Sequence, residues 1–245
     1  MTEGEPIYLG IDLAWSPRHP SGLCWLFPDG SARIEHRVVD GAGLGPELEG
    51  HRAIVAVDAP IVLHPGRTAE RAVARAYAKK KCACHTANGL RERGLNAGEI
   101  LRGSLSGFSD AWSDRLEAPK WIFETYPHVC LIEWMGLDSP LPYKAKPGRD
   151  RATRDAAFAR LQEFLIERLH PWEADLGPRL HQDASRLRGQ ALKRHEDELD
   201  AMICALMAFD LRRWTVARLG EEGSGFMVVP DRGGRIIELA RSGPE

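Results

Sequence analysis

Apolar and polar residues first alternate at a period of two. Tyr8 to Ala14 reads as a strand, followed by a Pro/Ser/His turn over Ser16 to Pro20. Gly22-Leu-Cys-Trp-Leu-Phe27 and Ala32-Arg-Ile-Glu-His-Arg-Val-Val39 repeat the strand period around Pro28-Asp-Gly30, a tight-turn signal. Three successive strands joined by short turns predict an antiparallel meander. Gly41 to Gly50 is glycine-rich but carries Leu44 and Leu48, which suits a loop or a short helix. Arg52 to Asp58 is then a nearly continuous apolar run, the pattern of a strand covered on both faces. Beyond it helical and strand patterns alternate, which predicts parallel additions to the same sheet.

Between Arg67 and Glu117 the pattern is helical and rich in Arg, Lys and Ala, with breaks at His85-Thr-Ala-Asn-Gly89 and Arg102-Gly-Ser104. This stretch is long for one crossover and predicts a helical insert over 67–117. Lys120 to Tyr126 is another strand, stopped by Pro127. Asp138 to Gly148 is a proline-rich loop of the kind that often carries function. Arg151 to Leu169 has helical spacing, and Ala191 to Leu219 is the longest helical stretch, with Leu199, Ile203, Leu206 and Phe209 on its apolar stripe. Gly225 to Pro230 and Arg235 to Leu239 predict a C-terminal hairpin around Asp231-Arg-Gly-Gly234. The whole, 1–245, reads as one α/β domain with an insert.

Composition narrows the class. With 245 residues and 43% hydrophobic content the chain can bury a full core. A net charge of −2 neither announces nor excludes a nucleic-acid partner, because a near-neutral chain can carry local basic surfaces. No apolar run approaches the roughly 20 residues that span a bilayer, so no membrane partner is expected. The acidic start, Met1-Thr-Glu-Gly-Glu-Pro6, lacks the basic and apolar regions of a secretory signal. Five cysteines give an odd number without disulfide-scaffold density. The expected compartment is the cytoplasm.

Four acids interrupt apolar segments. They are Asp12 in Ile7-Tyr-Leu-Gly-Ile-Asp-Leu-Ala-Trp15, Asp58 in Ala53-Ile-Val-Ala-Val-Asp-Ala-Pro60, Glu124 in Trp121-Ile-Phe-Glu-Thr-Tyr-Pro127, and Asp200 in Asp197-Glu-Leu-Asp-Ala-Met-Ile-Cys-Ala205. A carboxylate in such a setting shifts its pKa, finds a partner or binds a cation. Asp12 and Asp58 end predicted strands, where ligand sites of such sheets form. Glu124 ends a third strand, while Asp197 shares a helical face with Asp200 at i, i+3. Hard oxygen ligands suit Mg²⁺ or Mn²⁺, and two such ions about 3.5–4 Å apart could activate water and stabilise the leaving oxygen of a phosphodiester. Asp12 also suits a turn cap with Ser16-Pro17, Asp58 a strand-ending turn, and Asp197 with Asp200 a solvated helix face.

Gly10-Ile-Asp12-Leu-Ala-Trp15, Val57-Asp58-Ala-Pro60, Glu124-Thr-Tyr-Pro-His128 and Asp197-Glu-Leu-Asp200-Ala-Met-Ile-Cys-Ala205 resemble the predicted RNase H-like nuclease family catalogued as domain of unknown function 429. The resemblance runs in four short islands from about Tyr8 to Ala208. It implies a five-stranded mixed sheet, three strands antiparallel, flanked by helices. It also implies acids on the first, fourth and fifth strands and the last helix. Asp12, Asp58, Glu124 and Asp200 match those places as catalytic and metal-holding residues, with Asp197 a fifth metal candidate. The expected function is hydrolysis of nucleic acid with one or two Mg²⁺ or Mn²⁺ ions, by analogy of fold. An actin-like sugar-kinase architecture that binds ATP also fits Gly-Ile-Asp and Val-Asp-Ala-Pro, although the chain is short for two such domains and lacks glycine-rich phosphate loops. A non-catalytic nucleic-acid-binding adaptor with the same fold is the third reading.

Other residues are weaker candidates. Cys82-Ala-Cys84-His85 is tighter than the usual zinc spacing and has no downstream pair. Arg71, Arg75, Lys79, Lys80 and Lys81, and separately Lys144, Lys146, Arg149 and Arg151, form basic groups able to grip phosphates or to lie on solvated faces. Tyr126 and His128 follow Glu124 closely enough to line its cleft, and His195 is a candidate base near Asp200.

Overall fold

The computed structural model describes residues 4–39, 43–111, 118–146 and 148–234. β1 (Ile7–Asp12), β2 (Pro20–Leu26) and β3 (Ala32–Val38) form the expected meander, with Asp12 opposite Gly22 and Leu26 opposite Ala32. A short helix, α1 (Leu44–Glu47), leads to β4 (Ala53–Val57), which lies parallel to β1 with Ile11 beside Val57. After α2 (Ala69–Ala76), α3 (Ala97–Ser104) and the two-residue β5 (Ser109–Asp110), β6 (Lys120–Glu124) adds in parallel to β4. Four helices follow: α4 (Pro127–Met135), α5 (Arg151–Arg168), α6 (Glu173–Leu180) and α7 (Gly189–Asp210). The chain then forms β7 (Val216–Glu221) and β8 (Gly225–Pro230). The result is a mixed α/β fold.

The sheet runs β3-β2-β1-β4-β6-β8-β7, with β5 paired to β6. It has eight strands among the described residues, where five were expected. One of the additions, β7, falls where the sequence predicts the end of a helix, whereas β8 is a strand of the expected hairpin. The helical stretch expected over Ala191 to Leu219 stops at Asp210, and Val216–Glu221 pairs antiparallel with β8. Thr215 and Val216 prefer the pleated surface, and a strand partner ten residues on decides the matter. The terminal hairpin therefore turns between Glu221 and Gly225 rather than at Asp231, and the expected strand at 235–239 lies outside the described residues. The insert is less helical than expected, with 3₁₀ turns at Ala78–Lys80 and Arg91–Arg93. The break predicted at Arg102-Gly-Ser104 falls inside α3.

Side-chain alternation divides the core between the two sheet faces. Tyr8, Ile54, Ala56 and Phe123 pack with α4, α5 and α7, whereas Leu9, Ile11, Val55, Val57 and Ile122 pack with α1 and α3. β4 is buried throughout, as its unbroken apolar run requires. The helix α7 lies directly on β1 and β2 because two glycines let it. A Cβ on Gly10 would sit 2.0 Å from the Ala205 nitrogen and 2.1 Å from the Ala201 oxygen; one on Gly22 would sit 2.3 Å from the Asp197 oxygen. No side chain fits those gaps. No helix among the described residues is long and apolar enough to cross a membrane, and all five cysteines are free.

Candidate metal centre

Close approach of α7 sets the site. Tyr8, Gly10 and Asp12 alternate onto the α7 face of β1, and Ile54, Ala56 and Asp58 onto the same face of β4. Asp200 comes down from α7 between Asp197 and Ala201, both held against the glycine gaps. Each of Asp12, Asp58 and Asp200 offers a carboxylate oxygen, and these three atoms lie within 4.8 Å of one another. Asp200 is buried; Asp12 and Asp58 are half-buried at the mouth of a cavity of about 260 Å³. Burial, and then the charge of Asp200, holds the Asp12 carboxyl well above the usual range. Burial likewise pushes Asp58 up to about 7 against the pull of Lys144. Three acids so placed ionise together only with a cation among them.

The proline-rich loop supplies one. Tyr143 Oη donates to Asp200 Oδ1 at 2.5 Å, Lys144 Nζ lies 2.5 Å from Asp200 Oδ2, and the Ala145 amide donates to Glu196 Oε1 at 3.1 Å. Glu196 and Asp200 are i, i+4, so one face of α7 clamps three consecutive loop residues. The acids Asp200, Asp58 and Asp12 raise the Lys144 pKa further against burial, which keeps the ammonium charged. Lys144 and Lys146 both line the cavity.

Glu124 ends β6 as expected but does not join the three aspartates. It stands beside Val57 in the parallel register, one residue from Asp58. Its parity, however, follows Ile122 and not Phe123, so it alternates onto the α3 face. There Arg67 grips it with two guanidinium donors, one at 3.0 Å, and the Ile61 amide adds a bond of 3.3 Å. Burial pushes Glu124 up to about 7, which Arg67 opposes. Glu124 still borders the cavity but stands outside the triad. Asp197 stands outside it too: it pairs with Lys193 and, at 3.3 Å, with His36 Nε2.

His128 lines the cavity, and burial together with Lys144 lowers its pKa to about 3, so the ring is neutral. Its Nδ1 is buried without a hydrogen-bond partner among the described residues. His195 is no cleft base: it is buried, stacked on Phe158 with ring centroids 5.8 Å apart, and outside the cavity lining. Cys82 and Cys84 are thiols that burial pushes up to about 11 and about 12; neither joins His85 in a ligand group among the described residues. Arg71, Arg75, Lys79 and Lys81 are exposed away from the cavity lining, and Lys80 donates to the Leu137 carbonyl at 2.5 Å. Arg67, Tyr143 and Trp15 are not among the site residues expected from the sequence. Arg67 and Tyr143 carry no local pattern, since their partners are 57 residues away in both cases. Trp15 closes the Gly10-Ile-Asp12-Leu-Ala-Trp15 segment.

No curated protein and no solved structure matches the chain. Residues 10–222, which hold every acid of the centre, match the family described as protein of unknown function (DUF429), and the chain belongs to that family.

Proposed function

We propose that this protein is a divalent-cation-dependent phosphodiester hydrolase, a nuclease built on an RNase H-like fold. The observation that carries the reading is the convergence of Asp12, Asp58 and Asp200 from β1, β4 and α7. A meander followed by parallel strands, with acids on the first and fourth strands and the last helix, supports the fold assignment.

The donor set fits the ion. Three hard carboxylate oxygens with no His or Cys among them suit Mg²⁺ or Mn²⁺ over zinc. Asp12, Asp58 and Asp200 would hold one or two ions, which when bound would supply an activated water and charge stabilisation of the leaving oxygen. Lys144 presents an ammonium already fixed by Asp200, so its positive charge is in place for a phosphate oxygen without reorganisation. Lys146 adds a second cation to the same wall. His128, neutral throughout the physiological range, can accept a hydrogen bond from water at the cavity wall. Glu124 acts through Arg67, tying the Ile61 to Arg67 segment beneath Asp58.

The test is a panel of labelled single-stranded, duplex, hybrid and branched nucleic acids incubated with Mn²⁺, for the wild type and Asp12→Asn in parallel. Cleavage by the wild type that is lost in Asp12→Asn is the expected result. Tight binding without cleavage would make the protein an adaptor, and thermal protection by ATP in place of nucleic acid would favour the phosphotransferase.

A further inference from the structure

The metal cavity does not end at Asp12. On the other side of that residue lies a second groove of about 850 Å³, and Asp12, Leu13 and Trp15 line both. The second groove runs along the start of α7 and is bordered by His19, His36, Gln190, Lys193 and Arg194. The Lys193 and Arg194 side chains are 68% and 50% exposed, so they can reach a ligand although each also contacts an acid one turn on. Trp15 stands at the junction. Its carbonyl accepts from the Ala97 amide at 3.1 Å, which ties the backbone, and its half-exposed indole meets the His85 ring edge-on at 6.2 Å.

Three features define the ligand. Cations along one wall suit a chain of phosphates. An aromatic ring beside Asp12 suits a base, and a base offers its whole face to a side chain most readily when it is unpaired. The metal cavity, about 260 Å³, falls just below the range of small-ligand pockets, about 300–1,000 Å³, a size that takes one nucleotide unit at a time.

We propose that the substrate is a single nucleic-acid strand that lies along the α7 groove and crosses Asp12 into the metal cavity, with Trp15 stacking on an unpaired base beside the phosphate at the acids. This deepens the nuclease reading and rests on it for the chemistry, though the strand path is testable by binding alone. Lys193 and Arg194 contact backbone phosphates upstream or downstream of that point, while Trp15 fixes the register.

The experiment is fluorescence anisotropy of the full chain in Ca²⁺ with a short labelled single strand, its blunt duplex, and inorganic polyphosphate as competitor. Variants are Trp15→Ala, Trp15→Phe and the double change Lys193→Gln/Arg194→Gln. The single strand should bind at least about tenfold more tightly than the duplex. Trp15→Ala should weaken it about tenfold, and Trp15→Phe should recover most of that. The double variant should flatten the salt dependence by about 1.4 in log–log slope. Equal binding of duplex, undiminished binding by Trp15→Ala, or equal competition by polyphosphate overturns the strand path. So does a Trp15→Phe protein as weak as Trp15→Ala. Mn²⁺ cleavage assays on the same proteins separate the two claims. Cleavage unimpaired in Trp15→Ala overturns the path and leaves the nuclease, whereas Trp15-dependent binding without any cleavage supports the path and overturns the nuclease.

Discussion

Lys144 Nζ and Asp200 Oδ2 lie 2.5 Å apart, which makes the ammonium the counter-ion of the carboxylate cluster. Without it, three acids face one another with no positive charge in contact. Lys144→Met should therefore lower the melting temperature in EDTA, by about 2–4 °C for each kcal/mol of pairing lost. Added Mn²⁺ should then raise it by more than in the wild type, because the cation restores the missing charge. Differential scanning fluorimetry of both proteins with and without Mn²⁺ checks this; an equal metal response in the two would show that Lys144 and the cation do not share the cluster.

Asp12→Asn should act in the opposite sense. Burial and Asp200 disfavour the ionised form of Asp12, so an amide, which cannot ionise, relieves both. The metal-free variant should melt no lower than the wild type while losing Mn²⁺ stabilisation and cleavage. A large fall in melting temperature would give Asp12 a structural role instead.

Glu124→Gln should behave unlike the triad variants. It leaves the buried Arg67 guanidinium with Glu70, at 2.6 Å, as its remaining acid partner, so the loss should fall below the roughly 3–5 kcal/mol of a buried charge stripped of its counter-ion. The loss should appear in urea unfolding with or without metal, and the Mn²⁺ shift should survive. Loss of the Mn²⁺ shift with unchanged stability would return Glu124 to the metal centre.

The cation response should depend on pH. Asp58 has a folded pKa of about 7 and an unfolded value near 3.9, so the metal-free fold keeps a proton that the unfolded chain releases. This group's contribution is fully present below about pH 4 and is lost as pH rises through about 7. A bound cation needs the ionised form, so the Mn²⁺-induced rise in melting temperature should grow from about pH 5.5 to about pH 7.5. A response that is flat over this window would exclude Asp58 as a ligand.

Gly10→Ala tests the backbone contact behind the site. The new methyl would meet the Ala205 nitrogen and Ala201 oxygen at about 2 Å, so α7 must lift from β1. Overpacking of this kind costs about 1–3 kcal/mol or more. Because Asp200 rides on α7, the Mn²⁺ shift should fall as well, which thermal melts with and without metal would report.

Much of this was legible in the sequence. The meander, the buried β4 and the Asp12, Asp58 and Asp200 positions all follow from local patterns: period-two alternation, an unbroken apolar run, and acids where apolar residues belong. What stayed hidden was set by parity or by distance along the chain. Glu124 occupies an equivalent strand end to Asp58, yet one residue of offset in the alternation turns it to the opposite face and to Arg67. A sequence shows that a strand ends in an acid; it does not show which face that acid takes until a packing partner is known. Val216 to Leu219 falls within the longest stretch of helical pattern, and only pairing with β8 reveals the strand.

The most direct measurement of the central claim is a Mn²⁺ titration followed by electron paramagnetic resonance, on the wild type and on Asp12→Asn, Asp58→Asn and Asp200→Asn. Saturable binding by the wild type, weakened by every one of the three changes and retained in Glu124→Gln, is the expected result. Binding that survives all three aspartate changes, or that is absent from the wild type, would contradict it.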